Sequence, residues 1–541
     1  MPVTPSPRRD AIDIPVLPRL TDFVVRHARL QPAAEAVRFA DECVGYAELA
    51  ARMDALARAF VAAGVQPGDR IAVLCTPRPE FLVAYLAALR IGAVYVGLNP
   101  KYSLRELAYV LADCEPRMVL SLAAFEGRDH AADIAALQAR AHLSWPAWRL
   151  DAGPAAGTLG SADELLALGR TVDDPTFDAR VAAVGGADPA AIVYTSGSTG
   201  SPKGAVLPHR GLVYGPRLAA LAMAVASPRV ACDLPTNHVA CLGDVCGSVL
   251  QAGGLLVFLE RFDPARLLEA IEAHRLTNLM HLPTVLQMLL LHPDLPRRDL
   301  SSLRIVSWGG AAMAIDAIAE WRRRVGRLMV IYGMTETICN VTWADERCSD
   351  EQLATSVGWP DPALSVRLAD DDGRPVPDGQ PGEIQVRHEA IFLRYHGRAE
   401  ATAAAFTADG HLRTGDLAVR LPDGRFSLVG RKSDMFKSGG YNVYPREVEL
   451  VLEDHPAIAV AAVVAMPDPV FQEVGHAWLL RRPDQPAPDV AALRAWCRQR
   501  LANYKVPKRF VVGDELPLLP VGKVDKQELR RRSAALGQEA A

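Results

Sequence analysis

The stretch Tyr194-Thr195-Ser196-Gly197-Ser198-Thr199-Gly200-Ser201-Pro202-Lys203-Gly204-Ala205-Val206 decides how the rest of the chain is read. Between Thr195 and Gly204 every residue is hydroxyl-bearing, glycine, proline or lysine. Glycines let successive backbone N–H groups converge on one concavity, the hydroxyls of Thr195, Ser196, Ser198 and Thr199 add donors, and Lys203 adds a mobile positive charge. This is the composition of an anion-binding loop, with a polyphosphate as its natural guest. A flexible glycine–serine linker has a similar composition. A linker, however, would not be flanked by two apolar runs, Ala-Ile-Val-Tyr ending at Tyr194 and Gly-Ala-Val-Leu beginning at Gly204, which read as paired strands. Neither G-x-x-x-x-G-K-[ST] nor G-x-G-x-x-G fits, since Pro202 stands where the first pattern needs its second glycine.

Working outward, the 541 residues are too many for one core and imply at least two domains. Half the chain is apolar, 23% is charged and the net charge is −4, which leaves no basic surplus for a nucleic-acid or membrane-surface binder. The nine cysteines (Cys43, Cys75, Cys114, Cys232, Cys241, Cys246, Cys339, Cys348, Cys497) are scattered without a C-x-x-C pair and read as reduced, mostly core thiols. The first eighteen residues lack the apolar run of a signal peptide, and no uncharged stretch is long enough to span a bilayer, so the expectation is a cytoplasmic protein.

Helical spacing at 20–30 is followed by a short strand and an alanine-rich helix at 44–57. A β/α rhythm then runs through strands at 70–75, 93–98 and 118–121 and helices at 80–90 and 103–114, the last opened by a Ser103-x-x-Glu106 capping box. A second set covers 255–258, 264–274, 278–282, 283–291 and 303–308. Alternation of this kind implies mostly parallel α/β sheets. Residues 122–188 show only weak periodicity. Runs at 366–368, 383–387 and 418–429, punctuated by Asp371-Asp372-Gly373 and Pro422-Asp423-Gly424, read as antiparallel strands of a small β subdomain at about 345–430. A last α+β unit follows, with a helix at 445–454, strands at 458–466 and 476–481 and a helix at 489–501. The expected architecture is therefore a large N-terminal α/β domain, 1–432, and a small mobile α+β domain, 433–541.

Other segments carry chemistry. In Tyr332-Gly333-Met334-Thr335-Glu336-Thr337, a strand ends in an aromatic ring, a hydroxyl and an acid, a set suited to adenine stacking, a phosphate contact and a Mg²⁺ ligand. Trp308-Gly309-Gly310-Ala311-Ala312 reads as a tight strand-to-helix turn. Asp416, in Thr414-Gly415-Asp416-Leu417, suits paired hydroxyls because a carboxylate accepts two hydrogen bonds at once. Arg431 lies in Gly430-Arg431-Lys432-Ser433-Asp434, ahead of Lys437-Ser438-Gly439-Gly440-Tyr441-Asn442-Val443-Tyr444-Pro445, and Lys523 follows Pro520-Val521-Gly522.

Taken in this order, the segments from about 190 to 526 resemble those of the adenylate-forming superfamily, in particular its acyl-CoA and aryl-CoA ligases. The resemblance implies ATP, Mg²⁺ and coenzyme A. It makes Thr195 to Gly200 (Thr195, Ser196, Gly197, Ser198, Thr199, Gly200) and Lys203 the phosphate loop, Tyr332 the adenine stacker, Thr335 the α-phosphate contact and Glu336 the metal ligand. Gly309, Gly310, Ala311 and Ala312 line adenine and acyl pockets, Asp416 binds ribose, and Arg431 contacts ribose or phosphate. Lys437, Gly439 and Gly440 belong to the pantetheine tunnel, and Lys523 holds the carboxylate and α-phosphate. The family's interdomain hinge falls at Ser433, where Asp or Lys is usual.

His238 matches an aromatic position gating the acyl pocket, although a lone histidine also serves as a satisfied core residue. Asp244 in the same wall fits an N-cap as well as a substrate contact. Gly243, Gly247, Ala311 and Ala312 leave space for a ring or a medium chain, and the absence of Lys and Arg between Arg229 and Arg261 disfavours diacids. The expected activity is an ATP-dependent carboxylate–CoA ligase. A stand-alone enzyme loading a separate carrier protein is the alternative acceptor reading, and a nucleotide-binding protein without catalysis is the alternative of another class.

Overall fold

The computed structural model describes residues 12–141, 145–195, 202–338, 340–483, 485–519 and 523–538. Its chain divides into two compact units, Met1–Ser365 with Val386–Leu412, and Val366–Gln385 with Arg413–Ala541.

The first unit is built on two large sheets. In a seven-stranded sheet, Pro189–Thr195, Val94–Leu98, Arg70–Leu74, Met118–Ser121 and Ala147–Arg149 run parallel, and Lys203–Pro208 and Arg394–Tyr395 extend one edge in antiparallel fashion. A nine-stranded sheet has a parallel centre from Glu35–Phe39 through Leu255–Phe258, Arg229–Cys232, Asn278–His281 and Ile305–Gly309 to Leu328–Gly333. The expected β/α alternation is thus realised twice. Side-chain alternation locates the cores: Ile71 and Val73 fill one apolar cluster while Ala72 and Leu74 fill another. In the second sheet, Leu256 and Phe258 join the first of these clusters and Leu255 and Val257 face a third. The shared cluster therefore lies between the two sheets, and both sheets are apolar on both faces, as buried parallel strands require.

Local signals account for the element ends. Ser103 and Glu106 form both bonds of the capping box that opens the helix Leu104–Cys114. The weakly periodic 122–188 segment holds three helices, His130–Ala141, Ala162–Gly169 and Asp174–Ala182, that the sequence reading did not resolve.

Ser365–Ala369, Pro381–Arg387, Leu412–Arg420 and Phe426–Arg431, whose residues fall mostly in the second unit, make a four-stranded sheet. A five-stranded sheet follows, in which Gln472–Arg481 is antiparallel to Ile458–Asp468 and parallel to Arg509–Gly513. The helices Pro445–Glu453 and Val490–Arg500 contribute Val448, Leu452, Leu493 and Cys497 to its core.

Candidate active site

The strands that flank the expected phosphate loop, Pro189–Thr195 and Lys203–Pro208, are antiparallel neighbours in the seven-stranded sheet. Thr195 pairs with Lys203 across the hairpin, with the Thr195 hydroxyl 3.5 Å from the Lys203 carbonyl oxygen. The paired strands read from the sequence are present; Ser196, Gly197, Ser198, Thr199 and Gly200 lie outside the described residues. The helix Leu104–Cys114 braces both ends of this hairpin. Tyr109 donates to the Pro202 carbonyl at 2.7 Å, and Tyr194 donates to Asp113 Oδ2 at 2.7 Å. Asp113 also accepts from Arg398 at 2.5 Å. Tyr109 and Asp113 are four apart, one above the other on a single helical face.

The same edge brings in a residue that the sequence reading missed. Tyr395 pairs with Ala205 through the short strand Arg394–Tyr395. Its hydroxyl donates to Glu336 Oε1 at 2.8 Å, and Lys203 Nζ stands 5.4 Å from its ring centroid. Burial first, and then the Glu336 charge, hold the Tyr395 phenol well above its ordinary range, so it remains a donor. Lys203 and Glu336, 133 positions apart in the sequence, thus share Tyr395 as a common neighbour.

Glu336 is 5% exposed and Thr335 8%. They sit in a turn after Leu328–Gly333 in which the Met334 carbonyl accepts from Thr337 N at 3.1 Å and Ile338 N at 3.2 Å. The Phe392 amide donates to the Glu336 carbonyl at 2.8 Å, tying the turn to the segment that carries Tyr395. Tyr332, the expected adenine stacker, is buried at the end of that strand. Gly309 closes the neighbouring strand, and a Cβ there would meet the Ile331 carbonyl oxygen at 2.8 Å. Gly310 follows with φ +79°, while Ala311 and Ala312 are exposed.

The segment carrying His238 is fixed from the other sheet. Thr236 donates to the Cys75 carbonyl at 2.9 Å, and Tyr95 donates to the Thr236 carbonyl at 3.1 Å. His238 is half-buried and accepts from the Ala240 amide at 3.2 Å. A Cβ at Gly97 would lie 2.6 Å from both the Thr236 carbonyl oxygen and Asn237 Cα. Gly97→Ala is accordingly expected to destabilise the fold by about 1–3 kcal/mol, the usual cost of overpacking, read as a shift in the urea midpoint. An unchanged midpoint would contradict this close approach.

After His238 the chain forms a π-helix, Ala240–Gly247, continued by Ser248–Gln251. Asp244 is therefore inside a helix rather than at its N-cap. Pro216 lies 3.5 Å from a Cβ built on Gly243 and 2.8 Å from one on Gly247, so these glycines also serve packing against the helix His209–Met223. The thiols of Cys232, Cys241 and Cys246 are buried together, with Cys232 and Cys241 Sγ 3.7 Å apart. Every described cysteine is free, and all but Cys43 are buried, as expected for core thiols.

In the second unit, Asp416 and Arg431 are cross-strand neighbours, and Arg431 Nε donates to Asp416 Oδ1 at 3.0 Å. Lys523 belongs to the same charge group. Desolvation holds its ammonium below the usual lysine range, Arg431 adds to that shift and Asp416 opposes it, although the residue as a whole is exposed. Gly439 and Gly440 have φ of +56° and +85° and form the two-residue turn joining Phe436–Ser438 to Tyr441–Val443. Their first role is a type I′ hairpin turn, a constraint that the expected tunnel contact did not include. Lys437 is exposed at the hairpin edge, where its amide donates to Glu473 at 3.1 Å.

The AMP-binding enzyme family matches residues 24–396, and the C-terminal domain of AMP-binding enzymes matches 447–523. The chain belongs to the AMP-binding enzyme family. It is 38% identical over 514 residues to a feruloyl-CoA synthase of Amycolatopsis sp, covering 95% of this chain and 99% of that one. It is 34% identical over 520 residues to an indoleacetate–CoA ligase of Aromatoleum aromaticum, covering 95% and 98%. Among solved structures, ATP-bound MatB from Rhodopseudomonas palustris superimposes with a TM-score of 0.81 at 31% identity, covering 95% of this chain and 99% of MatB. The class is that of an AMP-forming acyl-CoA synthetase. Among the described residues no helix is long and apolar enough to cross a membrane.

Proposed function

We propose that this AMP-binding enzyme activates a medium-chain, alicyclic or aromatic monocarboxylate as its acyl-adenylate and transfers the acyl group to coenzyme A, releasing pyrophosphate and AMP. The observation that carries the first half is the Lys203–Tyr395–Glu336 group beside the base of the phosphate hairpin. In-line attack on an α-phosphate requires cationic and hydrogen-bonding groups held in place before charge develops. Lys203 supplies positive charge for the phosphates, Thr335 a hydroxyl, and Asp416 with Arg431 a polar grip for ribose. Lys523 orients the carboxylate against the α-phosphate.

Glu336 fits a divalent cation. Tyr395 takes up one lone pair of its carboxylate, which keeps further oxygen acceptors of the hard type that Mg²⁺ prefers. When bound, the ion neutralises charge on the phosphates. For the second half-reaction, the hairpin containing Lys437, Gly439 and Gly440 is assigned to pantetheine, and Ser433 to the hinge between half-reactions. The CoA-ligase relatives favour CoA over a carrier protein as acceptor.

Tyr395→Phe removes the donor to Glu336 but keeps the ring under Lys203. Adenylation is expected to slow about 10-fold, the value of one hydrogen bond to a charged group, with thermal stability largely kept. An unchanged rate would remove Tyr395 from the site.

The reading as a whole is tested by pyrophosphate release over aromatic, alicyclic and straight-chain acids, with and without CoA, together with mass detection of the product. Turnover that requires CoA and yields an acyl-CoA is the expected result. Adenylate formation indifferent to CoA would point to a carrier protein, and no release with any acid would reject ligase activity.

A further inference from the structure

The thiols of Cys232, Cys241 and Cys246 have no part in the acyl-activating chemistry, yet an uncommon backbone brings them together. Cys232 ends the strand Arg229–Cys232, and Cys241 and Cys246 lie in the π-helix Ala240–Gly247. On an α-helix, at about 3.6 residues per turn, positions five apart point about 140° away from each other. The i→i+5 register of a π-helix turns them towards one face, and such turns are frequent at functional sites. That face meets the end of the strand. Cys232 and Cys241 Sγ are 3.7 Å apart, and all three sulfurs lie within 4.8 Å of one another. Among the described residues no other three His, Cys, Asp or Glu side chains converge in this way.

Thiols in a core serve well as small apolar side chains. The spacing here fits a metal ion as well. A point equidistant from three sulfurs 3.7–4.8 Å apart lies about 2.1–2.8 Å from each, which brackets the zinc–thiolate bond of about 2.3 Å. The surroundings agree: all three cysteines are 0% exposed, so the donors on offer are soft sulfurs rather than water or carboxylate oxygens. Tyr85 is also 0% exposed, its hydroxyl has no hydrogen-bond partner, and it interacts electrostatically with Cys246 and Cys241. A buried hydroxyl with nothing to bond to is costly, and a thiolate beside it removes that cost. Charge decides the valence. Binding a divalent ion releases one proton from each thiol to solvent and leaves one net negative charge, whereas a monovalent ion would leave two, and charge in an apolar core is costly.

We propose that Cys232, Cys241 and Cys246 form a structural site for one divalent thiophilic ion, zinc or its softer analogue cadmium, supported by a hydrogen bond from the Tyr85 hydroxyl. The ion pins the π-helix to the end of the strand and gathers its three sulfurs as this part of the chain folds. It takes no part in acyl activation, so the site is independent of the function proposed above.

The test uses the full-length enzyme in a Cys43→Ser background, which removes the exposed thiol. Zn²⁺ or Cd²⁺ is supplied with a non-thiol reductant, both to the folded enzyme and during refolding from urea, and excess ion is then removed. The expected result is one ion retained per chain, a thiolate-to-cadmium absorption band, three sulfurs at about 2.3 Å in the zinc X-ray absorption spectrum, and a raised melting temperature. Cys232→Ser, Cys241→Ser and Cys246→Ser are each expected to weaken retention by at least about 10-fold, and Tyr85→Phe by about 10-fold, the usual effect of removing a group that supports a metal ligand. Cys497→Ser, at a buried thiol of the second unit, is expected to retain the ion. If a serine variant melts early, the absorption spectrum of the native site decides, because it counts the sulfurs directly. A shell of nitrogen and oxygen alone, as binding at Glu336 would give, overturns the proposal. Retention indifferent to all three serine substitutions overturns it too, as does no retention by either route. An unchanged affinity in Tyr85→Phe would reject the part assigned to Tyr85.

Discussion

Lys523→Ala is expected to lower acyl-adenylate formation by about 10²–10³-fold, the cost of losing one preorganised charge at a developing anion, while leaving thioester formation from supplied acyl-AMP largely intact. The asymmetry follows from what each half-reaction needs. Adenylation brings a carboxylate and a polyphosphate together, and their mutual repulsion must be met by cations; thioester formation starts from an adenylate in which that repulsion is already gone. Lys523 lies with Arg431 and Asp416, the two residues assigned to the nucleotide. Its ammonium is held below the usual lysine range, so the cation is lost at a lower pH than for a solvated lysine. The alkaline limb of the adenylation rate in the native enzyme is therefore expected to shift to lower pH, with no such limb in Lys523→Ala. Single-turnover assays of the two half-reactions measure both claims. Equal loss in both halves would show that Lys523 supports the fold or the nucleotide generally.

Much of this organisation is legible in the sequence because its determinants are local. The β/α rhythm follows from side-chain periodicity, and the Ser103 capping box from a four-residue spacing that the structure realises in full. The hairpin that flanks the expected phosphate loop is marked by two apolar strands around a run of small polar residues. What is lost is non-local. Tyr395 lies in a strand of two residues with no pattern of its own, and it becomes significant only because Arg394–Tyr395 pairs with Ala205 and Val206. Asp113 gives no local sign that it would receive both Tyr194 and Arg398, although its four-residue spacing from Tyr109 places the two on one face. The helix His209–Met223 hides behind Gly211, Gly215 and Pro216, residues that normally end a helical pattern. The π-helix at Asp244 has a period that neither the helix nor the strand template contains. The motifs of the candidate site are therefore readable one by one, whereas the contacts that brace them depend on tertiary pairing.

Glu336→Gln isolates the charge at the second anion-handling position. The substitution keeps shape and volume, and the glutamine carbonyl can still accept the Tyr395 hydrogen bond that now ends on Glu336 Oε1 at 2.8 Å. The turn at Met334 is held by backbone bonds to Thr337 and Ile338 and does not depend on the carboxylate, so the fold is expected to survive. What disappears is an anionic oxygen in a nearly buried place, where Glu336 is 5% exposed. A neutral amide oxygen is a much poorer ligand for Mg²⁺. Adenylation is therefore expected to fall by about 10²–10³-fold at fixed Mg²⁺ and to recover partly as Mg²⁺ is raised, since the missing charge weakens metal binding rather than substrate positioning. Tyr395→Phe, which retains the Glu336 charge, is expected to show the smaller loss and a nearly normal Mg²⁺ requirement. Titration of pyrophosphate release against Mg²⁺ for the two variants separates the cases. A Glu336→Gln enzyme whose Mg²⁺ dependence matches the native curve would mean that Glu336 acts through Tyr395 and Lys203 alone, and the metal ligand would have to be sought elsewhere.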